Sequence, residues 1–189
     1  MNNKRYSLWI KVLLVLFISS SVFASDKDKM LSLYKSEKYM DACNIGYKTF
    51  NKHKKDEKFV TLYGFSCLKA DYINRLAMPI AVLRLTKESR FNSAYFSVIL
   101  MQKKLLYYAM IDGYDISTLR LPTSEHVLSR IFNMYIDAVK LGKKPPFDFQ
   151  DPKDEKLDYK LYVDDSGTIP KVILQELYND KVIKTHKYW

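Results

Sequence analysis

The two cysteines carry the sharpest chemistry in this chain. Cys43 lies in the stretch DACNIGYKTF and Cys67 lies in FVTLYGFSCLKADYIN. A thiol can act as a nucleophile, a metal ligand, a redox sensor or half of a disulfide. No CxxC pair occurs, so a thioredoxin-like redox site has no support, and no histidine lies at ligand spacing from either cysteine. The role of the two cysteines therefore depends on the compartment and on the elements that carry them.

Other motifs of catalysis or ligand binding are missing from the sequence. The three histidines, His53, His126 and His186, form no HExxH or comparable metal motif. There is no GxSxG elbow, P-loop or GxGxxG, and five glycines make a phosphate-binding loop a poor hypothesis. Asp164 and Asp165 precede a Ser-Gly pair, which indicates a hairpin turn, because the distal glutamate of a calcium loop is missing. The sequence predicts no cofactor, no metal and no catalytic residue, and an enzyme with an unrecognised site is the alternative.

The first 24 residues have the layout of a secretory signal peptide. Lys4 and Arg5 provide a positive start, an apolar run covers residues 12–18, and small residues lead to Val-Phe-Ala. We expect cleavage between Ala24 and Ser25, with an uncleaved N-terminal anchor as the alternative. A membrane span needs about 20 apolar residues, and this run is shorter. The mature chain is therefore predicted to be exported, to the periplasm or the extracellular space, without a transmembrane span.

The composition suits a folded domain with a basic surface. Apolar residues make up 48% and aromatic residues 14% of the chain, which is ample for a packed core. Of the net charge of +10, three charges precede residue 25 and no acidic residue does, so +7 remains after it. An anionic envelope component is a possible partner, although net charge alone defines no site. Nucleic acid is not expected as a partner, because no recognition motif is present.

Apolar residues recur at helical spacing over residues 25–142, which predicts a helical domain. The first two helices are expected over about 27–35 and 39–52. The third helix is expected to carry Phe59 to Ala70, and the fourth is expected to begin at Pro79. The fifth helix is expected to be capped by Asn92 or Ser93 and to end at Gly113. The sixth helix is expected to be capped by Thr123 and to end at Gly142. On the last helix we expect a buried face of Leu128, Ile131, Tyr135 and Ala138.

The pattern changes after the helical domain. Residues 143–156 contain three prolines and a cluster of charges, which indicates a linker. Residues 157–189 alternate apolar and polar side chains between two turns, which predicts a three-stranded antiparallel β-meander. A lone meander of this size is marginally stable, so we expect it to pack on the helices or to pair with a partner. The predicted fold class is mainly α, with antiparallel helical hairpins and a small C-terminal antiparallel β-meander.

The predicted second and third helices place the cysteines opposite each other. The turn between these helices centres near Lys55, and Cys43 and Cys67 each lie twelve residues from that point. In an antiparallel hairpin such residues lie at the same height, and an oxidising compartment favours their joining. Closing a loop of ~25 residues would stabilise the fold by roughly 3–3.5 kcal/mol on the chain-entropy model. The sequence predicts a Cys43–Cys67 disulfide, with two buried thiols or a metal or catalytic role as alternatives.

The same helices resemble tetratricopeptide repeats. Tyr39 and Ala42, three residues apart, match the aromatic and small residues in the middle of such a repeat. A frame ~34 residues later places Gly64 at the small-residue position, and the LYG sequence followed by Cys67 is similar to the first helix of a second repeat. The resemblance covers about residues 27–90 and implies a periplasmic helical protein whose concave face binds a peptide or another protein. An irregular α-bundle is the alternative.

The resemblance implies a groove between helix pairs. Its candidate lining residues are Tyr39, Tyr47, Tyr63 and Gly64. Tyrosine joins a large apolar face to a polar tip and can contact a peptide or stack on a sugar, whereas core packing is the alternative at helical spacing. The predicted function is an exported, non-enzymatic protein-protein interaction module of the cell envelope that binds a peptide or protein.

The alternative function is a cell-envelope glycan-binding protein or a hydrolase-type enzyme with an unrecognised site. A shallow groove lined by Tyr, Asn and Lys would favour the interaction module. A deep cleft with two carboxylates or a His–carboxylate pair would favour this alternative. An open edge of the meander would allow a partner to add a strand.

Overall fold

The computed structural model describes residues 25–189, so the predicted leader and Ala24 lie outside the described residues. Helices fill the first part of the described chain and an antiparallel sheet fills the last part, which confirms the predicted fold class. The helices are α1 (Asp26–Lys35), α2 (Tyr39–His53), α3 (Glu57–Lys69), a 3₁₀ turn (Ile73–Leu76), α4 (Ala77–Val82), α5 (Lys87–Asp112) and α6 (Val127–Lys140). The strands are β1 (Phe147–Gln150), β2 (Leu157–Asp164), β3 (Lys171–Tyr178) and β4 (Lys181–Tyr188).

Side-chain caps set where the helices begin. The Asp56 carboxylate accepts a hydrogen bond from the Phe59 amide at the start of α3, 3.1 Å away. Thr86 does the same for Ser89 at the start of α5, at 3.0 Å. The predicted cap of this long helix at Asn92 or Ser93 is therefore wrong, since Thr86 caps it nearly two turns earlier. Its predicted end is confirmed, because Gly113 closes the helix in the left-handed conformation with φ of 71°.

Helix α4 does not begin where the sequence predicts. It begins at Ala77, so Pro79 is its third residue and not its first. It ends at Val82 because the chain that follows is held away from helical geometry: the Glu57 carboxylate accepts hydrogen bonds from the backbone amides of Arg84 and Leu85, both at 2.7 Å.

Helix α6 begins at Val127, and His126 rather than the predicted Thr123 caps it. The Nδ1 atom of His126 accepts a hydrogen bond from the Leu128 amide at 3.2 Å. The predicted buried face of this helix is confirmed, and its members are Leu128, Ile131, Tyr135 and Ala138.

Two glycines allow the helices to approach closely. A Cβ atom on Gly46 of α2 would lie 2.3 Å from the Tyr63 ring of α3. A Cβ atom on Gly64 of α3 would lie 2.4 Å from the Phe96 ring of α5. Because interiors are close-packed, neither ring has room to retreat cheaply. These contacts make α3 the central element of the helical body.

The sheet has four strands in the order β1-β2-β3-β4, one more than the sequence predicts. The additional strand, β1, lies within the predicted linker and pairs antiparallel with β2, with Phe147 opposite Leu161. Phe147 is buried and packs against Tyr135 of α6, with ring centroids 5.2 Å apart. Burial of this aromatic side chain explains why a segment between prolines forms a strand.

The sheet packs on the helices through one face. Arg130 of α6 contacts both the carboxylate of Asp151 and the hydroxyl of Tyr159. Tyr107 of α5 donates a hydrogen bond to the carbonyl of Pro170 at 2.9 Å. The meander is thus supported by the helical body, as expected for so small a sheet. Within residues 25–189, none of the helices is both long enough and apolar enough to cross a membrane.

Candidate functional site

The predicted disulfide is present between α2 and α3. Cys43 and Cys67 are fully buried, with an S–S distance of 2.07 Å and Cα atoms 4.7 Å apart. Residues 25–189 contain no free cysteine. The two cysteines are therefore bonded to each other, which removes their thiols from the candidates for catalysis or metal binding.

The predicted groove residues do not share a surface. Tyr63 and Gly64 are buried in the core, Tyr63 against Gly46 and Gly64 against Phe96, so the expectation that they line a groove is wrong. Burial raises the pKa of Tyr63 to about 12. The buried stripe of α3 faces two neighbouring helices at once, α2 through Tyr63 and α5 through Gly64. Tyr39 is half-buried and packs on Tyr34, with ring centroids 5.2 Å apart.

Tyr47, the fourth predicted groove residue, is 51% exposed and has a different partner. The guanidinium carbon of Arg75 lies 4.6 Å from the centroid of the Tyr47 ring and 4.4 Å from that of Tyr72. Arg75 also donates from Nη1 to the Asn44 side-chain oxygen at 2.8 Å and to the Cys43 sulfur at 3.3 Å. Two aromatic contacts and two hydrogen bonds therefore fix the guanidinium plane.

Arg75 lines a pocket where the 3₁₀ turn meets the end of β4, and we call it the basic pocket. Its volume is about 230 Å³. The lining residues used below are Tyr72, Asn74, Arg75, Lys103, Lys187 and Trp189. They come from three separate parts of the chain: the 3₁₀ turn with the residue before it, the middle of α5, and the end of β4.

Lys103 is a buried cation in this pocket, with only 4% of its surface exposed. Its ammonium contacts the Trp189 carbonyl oxygen and lies 3.3 Å from the Asn74 side-chain oxygen. Burial, and then the neighbouring Lys104, lower its pKa to about 8. The side chain is thus still mostly protonated at neutral pH.

A cluster of charged side chains separates the basic pocket from a second cleft. His186 of β4 is 1% exposed, with Nδ1 2.8 Å from Asp71 Oδ1 and Nε2 2.8 Å from Glu176 Oε1. Burial alone would lower the pKa of His186, but the hydrogen bonds to Asp71 and Glu176 outweigh it and raise the pKa above 6.5. The hydrogen bond from His186 lowers the pKa of Glu176. Because each ring nitrogen lies within hydrogen-bond distance of a carboxylate oxygen, the protonated ring can donate to Asp71 and Glu176 at once.

The second cleft, the histidine cleft, has a volume of about 450 Å³. It is lined by Glu176 and His186 on the sheet side and by His126 at the start of α6. Burial lowers the pKa of His126 to about 4, so this ring is neutral at neutral pH. Because Nδ1 of His126 already accepts from the Leu128 amide, the proton of the neutral ring lies on Nε2.

A His–carboxylate pair in a cleft is the feature that favours the enzyme alternative, and the structure contains one. Its geometry matters, however. Both nitrogens of His186 donate to carboxylates, and His126 uses its lone pair as a helix cap. A general base needs an unprotonated atom within reach of the substrate proton, and neither ring offers one.

Metal binding finds no support in the part of the chain that the structure describes. No group of three or more His, Cys, Asp or Glu side chains there is placed to hold a metal ion. His53 lies away from both clefts, with Nε2 2.9 Å from Asp26 Oδ2 and its ring 4.5 Å from the Phe59 ring.

Sequence reasoning missed the residues that form these two sites. One signal was available for Lys103, which follows Phe96 and Ile99 on the buried stripe of α5. A lysine on an apolar stripe is rare enough to indicate a special role. The contact between Asp71 and His186 joins residues 115 positions apart and has no local signature.

Comparison with known proteins does not extend this description. No protein-family model matches the chain, and neither curated proteins nor solved structures give a match. The tetratricopeptide resemblance of residues 27–90 therefore stays a prediction.

Proposed function

We propose that this protein is an exported, non-enzymatic interaction module that binds a peptide or protein partner in the basic pocket. The single observation that carries the proposal is the lining of that pocket. Arg75, Lys103 and Lys187 converge there beside Asn74 and Trp189, in a shallow site between the helices and the sheet. Aromatic, amide and basic side chains are the types that recognise peptides.

The proposal moves the binding site away from the groove that the sequence predicts. Tyr63 and Gly64 are closed off by core packing, whereas the junction at the end of β4 is open. Trp189, 49% exposed, and Tyr72 supply amphipathic contact area there. Such side chains lose little conformational entropy on binding, which suits a recognition surface.

Export is supported by two independent features. The first 24 residues have the layout of a signal peptide, and the described chain contains a buried disulfide. Disulfides persist in oxidising compartments and are rare in the cytosol. We propose the periplasm as the site of action and the extracellular space as the alternative.

The non-enzymatic part of the proposal is supported by the histidine cleft. His126 and His186 lack a free lone pair, and the cysteines are bonded to each other.

Site-specific photo-crosslinking in living cells tests the proposal. A photoreactive phenylalanine derivative replaces Trp189 in one variant and Leu141, which lies outside the pocket and is 77% exposed, in a control variant. We expect a discrete protein adduct from position 189 that is absent from position 141. The glycan alternative makes a different prediction: no protein adduct at 189, together with specific retention of the wild-type chain on cell-wall glycan. That pair of results would overturn the proposal.

A further inference from the structure

Helix α5 carries a second apolar face on its solvent side, which we call the α5 stripe. The stripe comprises Phe91, Ala94, Val98, Met101, Leu105 and Tyr108. Its members alternate at intervals of three and four residues, the spacing of the a and d positions of a heptad. Three of them are large and exposed: Phe91 at 69%, Met101 at 52% and Tyr108 at 46%. No element within residues 25–189 covers these three side chains.

The core face of α5 lies on the other side of the helix. Phe96, Ile99 and Lys103 are buried there. Lys103 is two residues from both Met101 and Leu105, which places it about 160° from them around the helix axis. α5 therefore has two apolar faces, and the α5 stripe is largely uncovered in the part of the chain that the structure describes. An extended apolar face of this kind indicates an interaction surface.

The α5 stripe is complementary to a second copy of itself. α5 begins at Lys87 and ends at Asp112, so its midpoint lies between residues 99 and 100. In a two-fold arrangement of antiparallel helices about this midpoint, each stripe residue faces the one equally far from the midpoint in the other copy. The facing pairs are then Val98 with Met101, Ala94 with Leu105, and Phe91 with Tyr108.

The charges at the two ends of α5 fit the same pairing. Lys87 and Asp112 continue the alternation of three and four, and each Lys87 would face Asp112 of the other copy. Both are exposed, and neither forms an ion pair within residues 25–189. Each also has the sign that the helix dipole disfavours, because anions stabilise the start of a helix and cations its end. The helix alone therefore does not explain these two charges.

Charge also decides the direction of the pairing. Parallel helices would set Lys87 against Lys87 and Asp112 against Asp112, and facing like charges oppose association. The antiparallel arrangement sets opposite charges together at both ends of the stripe.

We propose that two copies of this chain associate through the α5 stripe, with antiparallel helices related by a two-fold axis at the helix midpoint. This inference goes beyond the proposed function and does not depend on it. Because Lys103 lies on the opposite side of α5, the pairing leaves the basic pocket of each copy accessible.

The size of the stripe sets the expected strength of the dimer. A helix of 26 residues is about 39 Å long and about 10 Å wide, which gives a footprint of about 400 Å² per copy. Stable interfaces bury about 800 Å² per partner, and smaller ones are typical of transient association. We therefore expect a dissociation constant of about 1–100 µM.

Sedimentation velocity of the exported protein, over concentrations of about 1–500 µM at constant ionic strength, tests the proposal. We expect the mass to rise from monomer to dimer with concentration, without larger species, because a two-fold interface closes on itself. M101K places two lysines beside the two-fold axis and should weaken dimerisation by about 100-fold or more.

M40K is the matched control for M101K. Met40 lies on α2, outside the α5 stripe, and is 54% exposed, close to the 52% of Met101. M40K adds the same charge and should leave the dissociation constant unchanged. Because both methionines are exposed, both variants should unfold at the urea concentration that unfolds wild type.

Charge reversal tests the antiparallel register. K87E sets a glutamate opposite Asp112, and D112K sets a lysine opposite Lys87, so each should weaken the dimer by about three- to tenfold. K87E/D112K restores opposite charges and should recover the association of wild type. The two single variants change the net charge in opposite directions, so attraction or repulsion between whole molecules would not weaken both.

Photo-crosslinking from position 101 in living cells identifies the occupant of the stripe. We expect an adduct of two copies of this chain. A monomer at every concentration overturns the proposal, and so does an adduct at position 101 that contains only a different protein. Dimerisation of M101K at the strength of wild type overturns it, as does an equal loss in M40K and M101K. Single reversals that leave dimerisation unchanged, or whose loss K87E/D112K does not recover, overturn the antiparallel pairing.

Discussion

The α2–α3 hairpin and the junction of the helices with the sheet are built from opposite kinds of contact. The hairpin is closed by the Cys43–Cys67 disulfide and by a tyrosine ring packed on Gly46. The junction is closed by the imidazolium of His186 between two carboxylates. α3 takes part in both: its last turn carries Cys67 of the disulfide, and Asp71, just beyond its end, contacts His186 of the sheet.

This difference explains why the basic pocket and the histidine cleft lie at the junction. Apolar and covalent contacts fill the space between α2 and α3 and do not titrate. Charged side chains must keep their heads near a partner or water, so a junction built from them leaves clefts between its elements. We infer that the hairpin supplies stability and that the junction supplies recognition.

The largest expected effect is loss of the disulfide. The double variant C43A/C67A should lower the free energy of unfolding by roughly 3–3.5 kcal/mol, because the unfolded chain loses a closed loop of ~25 residues. Urea unfolding at neutral pH measures this. Intact mass after alkylation without reductant is the check on the wild type. Two alkylated cysteines in the exported protein would contradict the hairpin description.

Adding one methyl group to the hairpin should cost nearly as much. G64A places a Cβ 2.4 Å from the Phe96 ring, so we expect a loss in the upper part of the overpacking range of roughly 1–3 kcal/mol. The control is G167A, where no atom lies within 4 Å of the new Cβ and stability should change by less than about 0.5 kcal/mol. The double variant G64A/F96L should recover part of the loss. Equal effects of G64A and G167A would show that the close approach is unimportant.

The two regions also differ in how far they could be predicted. The hairpin follows from local pattern: helical spacing, one polar turn, and two cysteines at equal distances from it. The junction depends on contacts between residues far apart in sequence, such as Asp71 and His186, and no local pattern encodes these. Strand β1 could not be predicted for a related reason. Its neighbouring prolines indicate a linker, and only the pairing with β2 and the burial of Phe147 outweigh them.

At the junction, D71N tests the charged cluster. Asparagine tolerates the left-handed backbone at this position, where φ is 61°, and keeps a neutral acceptor. We therefore expect a loss of about 1.5 kcal/mol, the lower end of the range for a hydrogen bond to a charged group. The hydrogen bonds to Asp71 and Glu176 raise the folded pKa of His186, so its contribution is fully present below about pH 6.5, the unfolded pKa. It is lost as the pH rises through the folded pKa.

Glu176 sets the acidic limit of the pH range in which the charged cluster stabilises the fold. Its lowered pKa means that its contribution is present above about pH 4.5 and is lost as the pH falls through the folded pKa. The difference between wild type and D71N should thus be greatest between about pH 4.5 and 6.5. D148N, which removes an exposed carboxylate on β1, is the control and should show no such window. A D71N effect that is equal at acidic and alkaline pH, with an unchanged His186 pKa by NMR, would refute the cluster as a charged unit.

Near neutral pH the smallest effect should come from His126, and its dependence on pH has the opposite sign to that of His186. Burial lowers the pKa of His126 to about 4, so as the pH falls from about 6.5 the unfolded state takes up a proton that the folded state does not. Wild type loses this contribution on acidification, whereas H126N cannot titrate and keeps a capping side chain for the Leu128 amide. Near neutral pH the free energy of unfolding of H126N should match that of wild type within about 0.5 kcal/mol. Towards pH 4 the free energy of unfolding of H126N should exceed that of wild type by a steadily increasing amount. H126A separates the titration of the ring from its role as a helix cap. Its stability relative to wild type should change with pH as that of H126N does, but should be lower by about 1 kcal/mol at every pH because the cap is lost. Parallel stability curves for wild type and H126N would mean that His126 is not buried as a neutral ring, and His186 would then be the sole histidine that links the junction to pH.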